Sequence, residues 1–231
     1  MAAPASPLLQ VENLCPLAGS SRSEGPAALS LTVAPGEHLA FLGPRGSGKT
    51  ALARTLALVQ PPAAGRLLFA GRDVTRLSGG KLRALRQQLQ FVGGSPLRNL
   101  PPNVTVREAL LEPLQIHRSG STQEREARAV TVAALLELNP LLLGRKVSLL
   151  SIALRQRVSV ARAFMLQPRL LVCDELSERL DPAAARPLLE LLARACRVSQ
   201  LAWIWTTTDA VLAAQFSDRV LQIQPGRLSP A

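Results

Sequence analysis

The sequence predicts an α/β fold: a mostly parallel sheet core with N-terminal antiparallel strands and an inserted α-helical subdomain. Three observations carry this. Strand-like and helix-like runs alternate towards both ends of the chain; a glycine-rich loop, "GPRGSGKT", stands between a strand and a helix; and the stretch from about 95 to 166 is helical in its periodicity throughout. With 231 residues, 47% of them hydrophobic, the chain can bury a sizeable core, so 1–231 is expected to be one domain with 95–166 inserted in it.

Taken in order, alternating apolar residues in "LLQVENL" and "ALSLTVAPGEHLAFLG" predict early strands, the second pair joined by the turn Ala34-Pro35-Gly36-Glu37. After the glycine-rich loop, "ALARTLALV" has helical spacing, "GRLLFAG" is strand-like, and "KLRALRQQLQFV" is a short helix running into a strand. The middle block contributes three helices, "TVREALLEPLQIH", "EREARAVTVAALLEL" and "SIALRQRVSVARAFML". From 169, "RLLVCDE", "AAARPLLELLARAC", "LAWIWT", "DAVLAAQF" and "RVLQIQ" alternate strand and helix again, the pattern of a parallel sheet with helices on its faces.

The net charge of +11 is almost all arginine, since lysine occurs only at Lys49, Lys81 and Lys146. The arginines are scattered and aromatics are 3% of the chain, so no nucleic-acid partner is expected; an anionic membrane surface or an acidic partner subunit explains the charge as well. Cys15, Cys173 and Cys196 are odd in number and far apart, which argues against a disulfide frame or a zinc site. The first residues show neither a charged n-region nor a long apolar run, and "NPLLLGRKVSLLSIAL" is broken by Arg145 and Lys146 well short of the roughly 18 to 20 residues of a membrane span. Any service to a membrane is expected from the side.

Gly43-Pro44-Arg45-Gly46-Ser47-Gly48-Lys49-Thr50 satisfies G-x-x-x-x-G-K-[ST] between a strand and a helix. Glycines let the backbone turn successive N–H groups inward, the helix offers its positive end to phosphates, Lys49 reaches the β/γ-oxygens and Thr50 offers a Mg²⁺ ligand. Downstream, an apolar strand ends in Asp174 and Glu175. Asp174 can hold Mg²⁺ through water, and Glu175 is placed to polarise an attacking water. Cys173, inside that strand, reads as a small buried residue.

Together, "GPRGSGKT", "LLVCDELSERLD" and the helical insert resemble the nucleotide-binding subunits of ABC transporters, over nearly the whole chain. The resemblance implies a P-loop NTPase (RecA-like) core, ATP and Mg²⁺ as cofactors, and Asp181 as the D-loop acid. Residues 89–117 are similar to the dipeptide, oligopeptide and nickel import branch. That implies an ATP-binding importer subunit on the cytoplasmic face of the inner membrane, peripheral. Its expected partners are a second, more complete ABC ATPase subunit, two transmembrane permease subunits and a solute-binding protein.

The resemblance also exposes departures. "LSGGK" at 77–81 looks like the family's LSGGQ signature but stands about a hundred residues too early; Ser78 reads there as a helix N-cap. The signature position falls on Ser151, Ile152 and Ala153, with two glycines lost. The family's Q-loop glutamine aligns with Gly94 and its H-loop histidine with Thr208, and the early strands lack an aromatic to stack on adenine. A nucleotide-binding pseudo-ATPase, one structural or regulatory half of a heterodimer, is therefore the alternative. ATP hydrolysis is expected of the complex and is weak or absent in the isolated chain. Arg98, Leu100 and Val104 are expected to dock a membrane partner, unless Leu100 and Val104 are local core. Gly93 and Gly94 are expected to loosen the root of that segment.

Overall fold

A computed structural model describes residues 6–17, 28–95, 100–224 and 227–230. Two sheets are present among them. Strands β1 (Leu9–Pro16), β2 (Leu29–Val33), β4 (Pro62–Phe69) and β5 (Arg72–Asp73) form an antiparallel sheet in the order β2-β1-β4-β5. Strands β3 (His38–Leu42), β6 (Leu89–Gly93), β7 (Leu170–Asp174), β8 (Ala202–Thr207), β9 (Arg219–Gln224) and β10 (Arg227–Pro230) form the second, in the order β10-β9-β3-β8-β7-β6. Every pairing in it is parallel except β9 with β10 at the edge. The expected turn at 34–37 exists, with Glu37 N–H donating to the Ala34 carbonyl at 3.2 Å, but it is not a hairpin. It passes the chain from one sheet to the other, since β2 pairs only with β1 and β3 lies between β8 and β9.

Seven α-helices accompany the sheets among the described residues: α1 (Lys49–Leu56), α2 (Gly79–Gln88), α3 (Val106–Ile116), α4 (Thr122–Leu135), α5 (Ile152–Phe164), α6 (Pro182–Val198) and α7 (Ala210–Phe216). Their starts are chemically marked. Thr105 with Glu108 and Ser121 with Glu124 form reciprocal capping boxes, and Asp181, followed by Pro182, caps α6. Ser78 holds the N-cap position of α2 as expected, yet its hydroxyl makes no capping bond. Gly79, at φ 57°, supplies the conformation there instead.

The buried, strongly apolar central strands sort their side chains onto two faces. Leu39, Phe41, Leu170, Val172 and Ile204 join α1 and the antiparallel sheet in one core cluster. Ala40, Leu171, Cys173, Trp203 and Trp205 join the helices in the other. Residues of the 95–166 block, Val106 and Leu110 of α3, Val132 of α4 and Val158 of α5, belong to that second cluster, so the helical block shares the core of the sheet. Leu100 is buried in the same cluster and Val104 packs against it. This corrects their assignment to a docking surface: Leu100 is core and Val104, half-buried, packs onto it. Arg98 lies outside the described residues.

His38 is fully buried at the start of β3, edge-on to Trp203, and neither ring nitrogen makes a hydrogen bond of normal geometry. Burial, then the positive charge of Arg197, hold its pKa below the ordinary 6.5, with Asp218 and the Phe216 carbonyl acting the other way. A histidine whose folded pKa is depressed lets the unfolded chain take up a proton that the fold refuses. The stability is therefore complete above about pH 6.5 and falls as the pH drops below it. His38→Phe, which keeps the edge contact and has no orphaned nitrogens, is expected to flatten that fall. Thermal unfolding of both proteins at pH 7.5 and 5.5 checks it; an unchanged pH dependence would refute the assignment.

Candidate active site

The loop between β3 and α1 is shaped by close approaches as well as by freedom. A Cβ on Gly43 would lie 2.5 Å from the Ile223 carbonyl oxygen and 2.8 Å from Ser47 Oγ, so no larger residue fits. Gly46 and Gly48 turn the loop at φ 80° and 90°. Lys49, 2% exposed, sends Nζ back along the loop to donate to the Gly43 and Pro44 carbonyls at 2.9 and 2.8 Å. The first turn of α1 carries no acid, which leaves the positive end of the helix uncompensated. Ser47 Oγ is buried without a partner. A buried ammonium, an orphaned hydroxyl and a helix N-terminus on one concave loop fit a bound polyphosphate.

The acid pair approaches the loop from β7. Thr50 Oγ1 donates to Asp174 Oδ1 at 3.1 Å, and Thr206 Oγ1 of β8 reaches the same oxygen at 3.0 Å. Burial raises the Asp174 pKa, an effect these hydroxyls partly offset. Glu175, half-buried, lies 3.4 Å from Lys49 Nζ and has a positive φ of 51°. Burial and the neighbouring Glu178 carboxylate raise its pKa, while Glu178 is held low by its contact with Glu175 and by Arg45. Arg45 Nε donates to Glu178 at 2.7 Å, joining the glycine-rich loop to the segment after β7. With the Arg45 side chain 80% exposed, that pair is worth at most about 1 kcal/mol. Burial pushes the Cys173 thiol up to about 12, so it stays protonated.

The sequence-selected positions divide into those the fold gathers and those it leaves apart. Gly43 to Thr50, Asp174 and Glu175 are gathered. Two open clefts flank Glu175: one of about 380 Å³ lined by Arg45, Glu178 and Thr208, the other of about 460 Å³ lined by Thr50, Arg54, Gly94 and Asp174. Gly94 and Thr208 thus line different clefts beside the acid. Asp181 is exposed and its carboxylate accepts from Ala184 N–H at 2.9 Å as the α6 cap. Ser151 caps α5, accepting from Leu154 N–H at 3.3 Å, with Ile152 beside it 47% exposed.

Gly94 is the position most changed by the structure. It is no loose root: a Cβ there would come within 2.6 Å of the Glu175 carbonyl oxygen and 2.9 Å of that of Asp174. Gln156 of α5, fully buried, clamps the contact by donating from Nε2 to the Gly94 and Leu176 carbonyls, both at 2.9 Å. Sequence reasoning overlooked Gln156, Glu178 and Thr206. The available signals for the first and last were faint: Gln156 stands between Arg155 and Arg157, and Thr206 opens a run of three threonines at the end of β8.

Restoring the family's glutamine at position 94 is therefore expected to harm the fold. Gly94→Gln and Gly94→Ala should each lose about 1–3 kcal/mol through overpacking against backbone, read by chemical denaturation. Parent-like stability of Gly94→Ala would show that the backbone contact is not tight.

The family model described as ABC transporter matches residues 27–178, well over half of the chain. A putative peptide import ATP-binding protein of Brucella ovis is 32% identical over 200 residues, covering 87% of this chain and 63% of that protein. The chain spans about three fifths of the length of such curated relatives. Among solved structures, CbiO1 of Clostridium perfringens, part of the cbiONQ ABC transporter complex, superposes with a TM-score of 0.85 at 22% identity, over 96% of this chain and 87% of its own. A dimeric ATP-binding cassette in a post-hydrolysis state with ADP and Pi gives 0.82 at 23% identity, over 96% and 98%. The phosphate-type loop, the acid-ended strand beside it and the matched model agree: the chain belongs to the ABC transporter family.

Proposed function

We propose that the chain is the ATP-binding subunit of an importer for peptides or related small solutes, working in a dimer of such domains. One observation carries this reading: the glycine-rich loop, with Lys49 and the α1 N-terminus, faces Asp174 and Glu175. The loop N–H groups and Lys49 would hold the phosphates. Thr50 and Asp174 would hold Mg²⁺, which supplies neutralisation of phosphate charge when bound. Glu175, kept partly dry beside Lys49, would orient the attacking water. The peptide-import names of the relatives support the solute class, and a dimeric cassette among its structural neighbours supports pairing. No helix among the described residues is long and apolar enough to cross a membrane, which accords with a peripheral subunit served by separate permeases.

A second reading draws on the outward-facing positions. An intact phosphate loop with Ile152 and Ala153 in place of signature glycines suits one half of an unequal dimer. This chain would bind ATP on its own loop and present a crippled signature to the ATP of a more complete partner.

Lys49→Ala should weaken ATP binding by about tenfold or more, since a charge-assisted contact is worth roughly 1.5–3 kcal/mol. Calorimetry finding equal affinity in mutant and parent would overturn the nucleotide reading. The purified chain alone should hydrolyse ATP feebly, and Ile152→Gly with Ala153→Gly should raise turnover only where a complete partner supplies the opposite site. Brisk steady-state turnover by the unmodified homodimer would rule out the unequal-dimer reading and leave ATP binding untouched.

A further inference from the structure

We infer that Thr206 is a positioning residue of the nucleotide site: its hydroxyl fixes both the Asp174 carboxylate and the backbone of Glu175 for a Mg²⁺-bound nucleotide. The inference rests on the ATP-binding reading above. Thr206 is 1% exposed, near the end of a strand whose other buried side chains are mostly large and apolar. A hydroxyl there needs partners, and it has two. Oγ1 accepts from Glu175 N–H at 2.9 Å and stands 3.0 Å from Asp174 Oδ1. One proton and two lone pairs satisfy both at once, the proton going to the carboxylate.

The position of these bonds argues against a merely structural role. β7 and β8 pair in register from Leu170 with Ala202 to Cys173 with Trp205, which brings Asp174 beside Thr206. Just past that point the chain leaves the sheet: Glu175 turns to φ 51°, and its N–H meets the threonine hydroxyl. Thr206 thereby sets where the acid pair turns off the sheet. It also shares Asp174 Oδ1 with Thr50, so two hydroxyls from α1 and β8 orient one carboxylate. Among the described residues the Thr206 hydroxyl bonds the acid pair and no atom of the glycine-rich loop, so the phosphate contacts that need no metal do not depend on it.

The test separates metal-dependent from metal-independent affinity. Binding of a non-hydrolysable ATP analogue is measured by calorimetry with Mg²⁺ and with EDTA for the parent, Thr206→Val and Thr206→Ser. Valine keeps the shape and removes both bonds; serine keeps both. The expected result is a ratio of Mg²⁺ to EDTA affinity about tenfold lower in Thr206→Val, with EDTA affinity unchanged and serine close to the parent. Thr206→Ala should behave like valine, and serves if thermal unfolding shows the valine variant misfolded. An unchanged ratio, a proportional loss in both conditions, or a serine variant as impaired as valine would overturn the inference. A parent that binds no nucleotide, or binds it without regard to Mg²⁺, removes the ATP-binding reading and this inference with it.

Discussion

The burial of one carboxylate organises this domain. Asp174 sits at the end of a strand whose every residue is buried, and a charge taken out of water must be met by donors. The hydroxyls of Thr50 and Thr206 meet it, one from the first turn of α1 and one from the neighbouring strand β8. The carboxylate therefore ties together the helix that follows the glycine-rich loop, the strand that carries the acids and the strand beside it. The loop's shape then follows from its neighbours: Gly43 has β9 against it, and its N–H donates to the Thr207 carbonyl at 3.2 Å.

Much of the fold was legible because its strands announce themselves. "LLVCD" and "AWIWT" are short, apolar and bounded, and they became the buried centre of the parallel sheet. The three middle helices were legible too, from periodicity and, in two cases, from Ser/Thr-x-x-Glu starts. Which sheet a strand joins was not. β2 and β3 are separated by a four-residue turn that local chemistry reads as a hairpin, and only long-range pairing with β1 and β8 sends them apart. For the same reason Leu100 and Val104 passed for surface: the core cluster they join draws on residues far along the chain, such as Val158 and Leu188.

The site was legible where chemistry is contiguous. Eight successive residues from Gly43 to Thr50 and two from Asp174 specify their own geometry, and the structure joins the two runs through Lys49 with Glu175 at 3.4 Å and Thr50 with Asp174 at 3.1 Å. Gln156, Glu178 and Thr206 escaped notice because each bonds a group far along the chain, Glu178 through Arg45. Gly94 shows the limit most sharply. A missing glutamine reads in the sequence as loss, whereas in the structure the glycine permits a backbone contact that Gln156 holds shut.

That contrast sorts the departures from the family pattern into two kinds. Gly94 is constrained from within, since a side chain there collides with the carbonyls of the acid pair, so its identity is explained by this chain's own packing. Ile152 and Thr208 are exposed and touch no such constraint. Neither is buried in the core, so no packing contact of the kind found at Gly94 fixes its identity. What such outward positions report is the surface they face. Mutual contacts hold the glycine-rich loop against the acid pair, while Ile152 and Thr208 stand exposed outside those contacts. Change can therefore accumulate at such exposed positions without disturbing the contacts among Lys49, Thr50, Asp174 and Glu175.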